Sequence, residues 1–303
     1  MFVHLWIPVT LVASCLQTAR NATQASLTAT LGPVGAAQVR FLYGLPFALV
    51  FLALQLAVSR EALPSIGART TLFALAGASA QILATVLMLA AMQLRSFAVT
   101  TATTKTEPVL VALFGILVLG DRPSVAAWES ILVATAGVVI MSLRPSKYSA
   151  GLLDRGGAPA IALGVLSGGC FAIAAIGFRG AILALPGGSF YLRATVVLAL
   201  GLGMQTSLLL VYLLVFNRPA LFKSFSVWRV SLGAGFLGAF ASQFWFVGFA
   251  LTSAANVRTL ALIEVLLAQL VQGRLFAQRG TRQDLIGMML IVLGAGALII
   301  ASS

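Results

Sequence analysis

Of the 303 residues, 60% are hydrophobic and only 9% charged, against about a quarter charged in a soluble domain, so a soluble globular fold is excluded. The formal charge of +12 would suggest nucleic acid in a soluble protein, but the cations stand singly in short loops and at helix ends, which points to membrane orientation and to no nucleic-acid partner. One histidine, His4, and two cysteines, Cys15 and Cys170, in apolar runs provide no metal-ligand spacing and no Ser-His or Cys-His pair, so neither a metal site nor catalysis is expected.

A membrane-spanning helix needs about 20 mostly apolar residues to cross about 30 Å of hydrocarbon with its backbone hydrogen bonds closed. Ten such segments are predicted, at about 3–19, 36–58, 72–92, 97–119, 126–143, 158–178, 189–216, 229–250, 255–276 and 285–302. The first is read as a helix rather than a signal peptide, because no basic stretch precedes it and nine spans follow. It ends in Gln17, Arg20 and Asn21, and the second opens with Gln38, Arg40 and Tyr43. These, with Arg179 and Arg193 further on, are expected to be headgroup or loop anchors.

The fourth segment holds the run SFAVTTATTKTEPVLV, residues 96–111. With about 100° of turn per residue, Ser96, Thr100, Thr103, Thr104, Glu107 and Val111 share one helix face, a hydroxyl stripe ending in a carboxylate. Lys105 lies about 160° from Glu107 on a regular helix, so the two share a face only if the helix is broken. Pro108 removes the amide that would bond the Thr104 carbonyl and predicts a kink. A charge at mid-bilayer costs at least about 2.5–3.5 kcal/mol and normally faces protein or water. The stretch therefore reads as a kinked, cavity-lining helix that receives a polar solute. The alternative is structural: the threonines bond their own i−4 carbonyls, Lys105 snorkels, and Glu107 pairs with it or with another helix.

The polar connection RPSKYSAGLLDRGG, residues 144–157, divides the chain into 1–147, a linker at 148–157, and 158–303. Each half holds five predicted helices, and an odd number forces a second copy to enter the membrane in the opposite sense. Laying 94–143 on 251–300 superposes Glu107 on Glu264 and Gly137 on Gly294, and Gly287 and Gly294 are spaced as Ser130 and Gly137 are. The ninth segment also carries Asn256 and Arg258, with Gln269 and Gln272 on the side of Arg258 and Glu264 about 120° round from it. Arg258 reads equally as an interfacial anchor or a site residue.

Three motifs, Glu107-Pro108-Val109, Gly120-Asp121-Arg122 and Ala136-Gly137-Val138, resemble those of the ten-helix EamA-like branch of the drug/metabolite transporter superfamily. Asp121 replaces the usual glutamate, and the second half is more degenerate, with Val265 after Glu264. The resemblance implies an all-α membrane protein in which two inverted five-helix repeats surround a central cavity. It also implies alternating access, small organic solutes often moved outward, and no cofactor. It places Gln81, Gln243 and Trp245 on lining helices, so that the candidate substrate-binding set is Gln81, Thr100, Thr104, Lys105, Glu107, Gln243, Trp245, Arg258 and Glu264.

Glu107 and Glu264 are also the candidate proton-coupling groups, since a carboxylate in a cavity can exchange its proton within a physiological range. Mixed charges favour a zwitterion, amino acid-like, or a small organic anion over a cation, carried by export or exchange across the inner (plasma) membrane. A lipid flippase using the same groove is the alternative, and an intramembrane enzyme a more distant one. The expected partners are the solute and the lipid bilayer, with the chain a monomer or homodimer. The Lys and Arg excess in the loops after odd-numbered helices puts those loops in the cytoplasm and both termini outside. The resemblance implies cytoplasmic termini, and the count is preferred.

Overall fold

The computed structural model describes residues 4–94, 97–105, 107–142, 157–267 and 282–301. All of the predicted linker 148–157 except Gly157, which begins a helix, lies outside these, as do Ser96, Gln269 and Gln272. The described residues are helical nearly throughout. In chain order they form α1 (Trp6–Leu42), α2 (Leu45–Ser59), α3 (Ala68–Leu94), α4 (Phe97–Thr104), α5 (Glu107–Phe114) with a π-helical turn Gly115–Leu119, and α6 (Val125–Ser142). Then follow α7 (Gly157–Ala184), α8 (Phe190–Phe216), α9 (Arg218–Ser226), α10 (Trp228–Leu251), α11 (Ala254–Leu260), a helical stretch at 263–267, and α12 (Arg282–Ala301).

Among the described residues, six helical stretches are long and apolar enough to cross a membrane, and Glu107–Leu119 and Val125–Met141 are shorter apolar helices. The first stretch, Trp6–Ser59, has 54 residues, about 80 Å if straight and more than twice a bilayer core. It does not run straight. Gly32 has φ 69° and ψ 171° ahead of Pro33, a backbone region open essentially to glycine alone. Residues twelve apart on one helix are about 18 Å apart, yet Gln24 Nε2 donates to the Ala36 carbonyl at 3.1 Å, so the chain doubles back at Gly32.

This corrects the predicted end of the first helix at residue 19. Gln17, Arg20, Asn21 and Gln24 are buried in the middle of α1, where hydropathy alone mistook a polar helix face for a helix end. Nothing lies within 4 Å of a Cβ built on Gly32, so Gly32→Ala carries only the backbone term. It is expected to cost about 1–3 kcal/mol, read as a lower unfolding midpoint of the detergent-purified protein.

Helices pack in pairs: α3 against α7, α1 against α10, α6 against α12, and α2 against α8. The core of the first two pairs is apolar and aromatic, including Phe41, Phe178, Phe246 and Phe249. At the end of the bundle where α1 begins and α12 finishes, the loop after α2 is clasped to the start of α8. Ser189 donates its N–H to Glu61 Oε2 at 2.6 Å and its hydroxyl to Oε1 at 2.8 Å. The Ser189 amide and then its hydroxyl hold the Glu61 carboxyl below its ordinary range. A depressed carboxylate stabilises above its unfolded pKa, so this clasp is present at neutral pH and is lost on acidification.

Candidate functional site

Two broken helices meet at the centre of the bundle. α4 ends at Thr104, Lys105 stands in a turn, and α5 starts at Glu107, so α4 stops ahead of the kink expected at Pro108. Pro108 sits in the first turn of α5, where a missing N–H costs nothing. The second break follows α11, where the Ala261 N–H still reaches Val257 but the Leu262, Glu264 and Val265 amides bond carbonyls three residues back. It needs no proline. α11 packs directly on α5.

The breaks bring together charges that a regular helix would separate. Lys105 Nζ lies 2.9 Å from Glu264 Oε2, and Arg258 Nη1 lies 3.3 Å from Glu107 Oε1. Lys105 and Arg258 are 4% exposed, Glu107 and Glu264 1%. Each pair links one broken helix to the other. Gln17 Nε2 donates to both Glu264 oxygens, at 3.2 and 3.1 Å, and its carbonyl accepts from Trp245 Nε1 at 2.8 Å. The Arg258 guanidinium lies 4.7 Å from the Trp245 ring centre and 5.4 Å from that of Phe249, within cation–π range. Lys105, Glu107, Trp245, Arg258 and Glu264 are thus gathered into one cluster, and Arg258 is no interfacial anchor.

The other candidates are placed differently. Thr104 lines the central cavity with Thr101, but the Thr104 and Thr103 hydroxyls donate to the Thr100 carbonyl at 2.9 and 3.0 Å, as in the structural alternative. Thr100 Oγ1 is buried with no hydrogen-bond partner among the described residues. Thr103 faces α7, where its Oγ1 fills the space beside Gly164, so the hydroxyls do not share one face. Gln81 accepts from Gln205 Nε2 at 2.8 Å, and Gln243 donates to Thr195 Oγ1 at 2.8 Å. Both bonds join helices to one another, and neither residue borders the cavity.

The expected anchors Arg20 and Arg40 are instead 0% and 1% exposed. Arg20 bonds Asn21 Oδ1; Arg40 donates to Thr85 Oγ1 at 3.1 Å and Ser242 Oγ at 3.4 Å. Arg20 lies within electrostatic reach of Glu264 and Arg258, and Arg40 of Arg20 and Arg258. The signal that would have found them is spacing. Gln17, Arg20, Asn21, Gln24 and Thr28 recur every three or four residues, the period of one helix face.

The space left at the cluster is about 10 Å³, bordered by Gln17, Asn21, Met88, Thr101, Thr104, Lys105, Glu107, Phe171 and Arg258, room for one water. Towards the end of the bundle that carries the start of α1, a second, open cleft of about 280 Å³ is lined by Ala112, Asp121, Ser124, Thr252, Asn256 and others. At its edge Arg179 Nη1 donates to both Asp121 oxygens at 2.7 and 2.9 Å, and Arg179 Nε to the Thr252 carbonyl at 3.1 Å. This latch ties the loop after α5 to α7 and to the turn before α11. Arg179, too, is thereby no headgroup anchor. Among the described residues no group of His, Cys, Asp and Glu could hold a metal ion.

The sequence matches the EamA-like transporter family over residues 5–143. A solved crystal structure, titled only as that of a protein, is similar over 96% of this chain and 94% of its own, with a TM-score of 0.71 and 17% identity; at that identity the likeness concerns the fold. No curated protein matches. The matched residues contain α1 to α6, including Arg20, Arg40, Lys105 and Glu107 of the buried cluster. The chain is a multi-pass membrane protein whose residues 5–143 match the EamA-like transporter family.

Proposed function

We propose that the protein is a secondary active transporter that carries a small organic solute by alternating access, with the crossed pairs Lys105–Glu264 and Arg258–Glu107 as its binding site. The observation that carries the reading is the pair of broken helices holding four buried charges. Broken membrane helices near mid-depth in corresponding places of two halves are where transporters bind solute. A carboxylate and a cation from each broken helix cross-link the two, so a solute that competes for them loosens one helix from the other.

The ten-crossing reading divides the 54-residue stretch at Gly32 and counts α4, α5 and the π turn as one crossing, likewise α11 with 263–267. The overlay of 94–143 on 251–300 carries α4 onto α11 and α6 onto α12, as an inverted repeat requires. The partners α3 with α7 and α10 with α1 are then exchanged copies of one contact. Proteoliposome counterflow with labelled amino acids, carboxylates and quaternary amines tests the function; no exchange of any class would sink it. Glu107→Gln should lose gradient-driven uptake and, by leaving Arg258 unpaired, unfold at a lower midpoint, and uptake that retains its pH dependence in that variant would make Glu107 structural. The flippase reading predicts lipid scrambling in the same vesicles.

With only about 10 Å³ free, this conformation is occluded, and the Asp121–Arg179 latch is the gate at one mouth. Both partners are partly exposed, so about 1 kcal/mol is at stake. Asp121→Asn should raise the thiol-labelling rate of Thr101→Cys about fivefold from the side facing the latch, on a background without Cys15 and Cys170. An unchanged rate would remove the latch from the gating scheme. A reporter pair fused after Ser303, one active in the cytoplasm and one outside, is expected to report external termini. Arg20, Arg40 and Arg179 belong to the cluster and the latch, so they drop out of the loop count, and ten Lys and Arg remain in the sequence after odd-numbered predicted helices: Arg95, Arg144, Lys147, Arg155, Arg218, Lys223, Arg229, Arg274, Arg279 and Arg282.

A further inference from the structure

The cluster holds more positive charge than its two pairs use. Lys105 is matched by Glu264 and Arg258 by Glu107, which leaves Arg20 and Arg40 as buried guanidinium groups without a carboxylate of their own. They converge on one spot of α10: a Cβ on Gly238 would meet Arg40 Cγ at 2.9 Å and Arg20 Cδ at 3.7 Å. The strongest charges acting on Arg40 are two other arginines, Arg20 and Arg258. Arg20 Nη1, Arg40 Nε and Arg258 Nε are all buried donors with no acceptor among the described residues. The other acids are engaged or placed elsewhere: Glu61 with Ser189, Asp121 with Arg179, Glu129 exposed, and Asp284 on α12. Asp154 lies outside the described residues.

A guanidinium keeps its proton in proteins, so a formal excess of two positive charges sits among buried side chains, where unmatched charge is strongly disfavoured. What can match it is the solute. We propose that the cargo is a small organic dianion, a dicarboxylate or a phosphomonoester, whose anionic oxygens take up the free donors of Arg20, Arg40 and Arg258. A zwitterion brings no net charge and leaves the excess as it is; a monoanion removes half of it; a cation adds to it. Guanidinium forks suit paired carboxylate or phosphate oxygens better than a single lone pair. The proposal rests on the transporter reading above and narrows its substrate class.

The test uses the full-length protein in detergent and in proteoliposomes, at mildly alkaline pH where both dianion classes are doubly ionised. Succinate, glycerol phosphate, acetate, alanine and choline are compared by the rise they give in the unfolding midpoint, and then by counterflow. One or both dianions should stabilise the wild type, acetate less, alanine and choline not at all, and whichever dianion responds identifies the cargo class. Arg20→Gln and Arg40→Gln should each weaken dianion binding at least tenfold while unfolding no earlier than wild type without ligand, since each removes a repulsive charge. If a variant fails to fold, the wild-type series decides alone. Stabilisation or exchange by alanine or choline, with dianions inert, overturns the dianion and leaves the transporter standing. Dianion binding without flux of any solute does the reverse.

Discussion

Replacing Glu264 by Gln is expected to lower the unfolding midpoint sharply and to abolish counterflow. The carboxylate lies 2.9 Å from Lys105 and accepts twice from Gln17, so its neutral isostere leaves a buried ammonium unpaired and adds to a positive excess. Breaking one partner of a buried pair costs about 3–5 kcal/mol. Replacing both partners together costs much less, because no orphan charge remains. Lys105→Met with Glu264→Gln should therefore recover most of the lost stability, a coupling of about 3 kcal/mol or more in the double-mutant cycle, but no flux. That split would separate the pair's contribution to stability from its proposed part in solute binding. Additive losses in the cycle would show that the pair is not coupled, and flux in the double variant would remove it from the site.

Gly137→Leu is expected to prevent stable folding, or to lower the unfolding midpoint by several degrees, while Gly296→Leu on the neighbouring helix is silent. A Cβ on Gly137 would meet the Gly287 carbonyl at 2.6 Å and Leu290 Cβ at 2.9 Å; on Gly294 it would meet Ala134 Cβ at 2.7 Å and the Ser130 carbonyl at 2.8 Å. α6 and α12 are therefore in backbone contact at two places, which small residues permit and which dispersion rewards between membrane helices. Overpacking such a contact costs about 1–3 kcal/mol or more. Nothing lies within 4 Å of a Cβ on Gly296, so the same substitution there controls for bulk and hydropathy. Equal midpoints for the two variants would mean that α6 and α12 do not hold this approach in the folded protein.

These two contacts show why some of the molecule was legible beforehand. Gly137 and Gly294 stood out as recurring small residues in equivalent places, and the reason is mutual: each lets the other helix's backbone close. Glu107 and Glu264 stood out because acids are scarce and these two coincide on superposition. A charge inside an apolar run is conspicuous in any sequence, since its burial is costly wherever the chain puts it.

The amino-acid sequence by itself determined that the protein is a multi-pass helical membrane protein, that Lys105, Glu107, Arg258 and Glu264 lie within its apolar segments, and that the helix around Pro108 could not be regular. These follow from hydropathy and local sterics, which act within a few residues. Which charges meet was decided by tertiary structure alone. Lys105 finds Glu264 and Arg258 finds Glu107 because both helices break, one of them with no proline to announce it, and the pairing partners are more than 150 residues apart in the chain. Arg20 and Arg40 looked like headgroup anchors because a polar helix face and a helix end have the same mean hydropathy. Only the reversal at Gly32 and the packing of α10 across both arginines turn them inward, since a side chain's surroundings are set by the helices that pack on it.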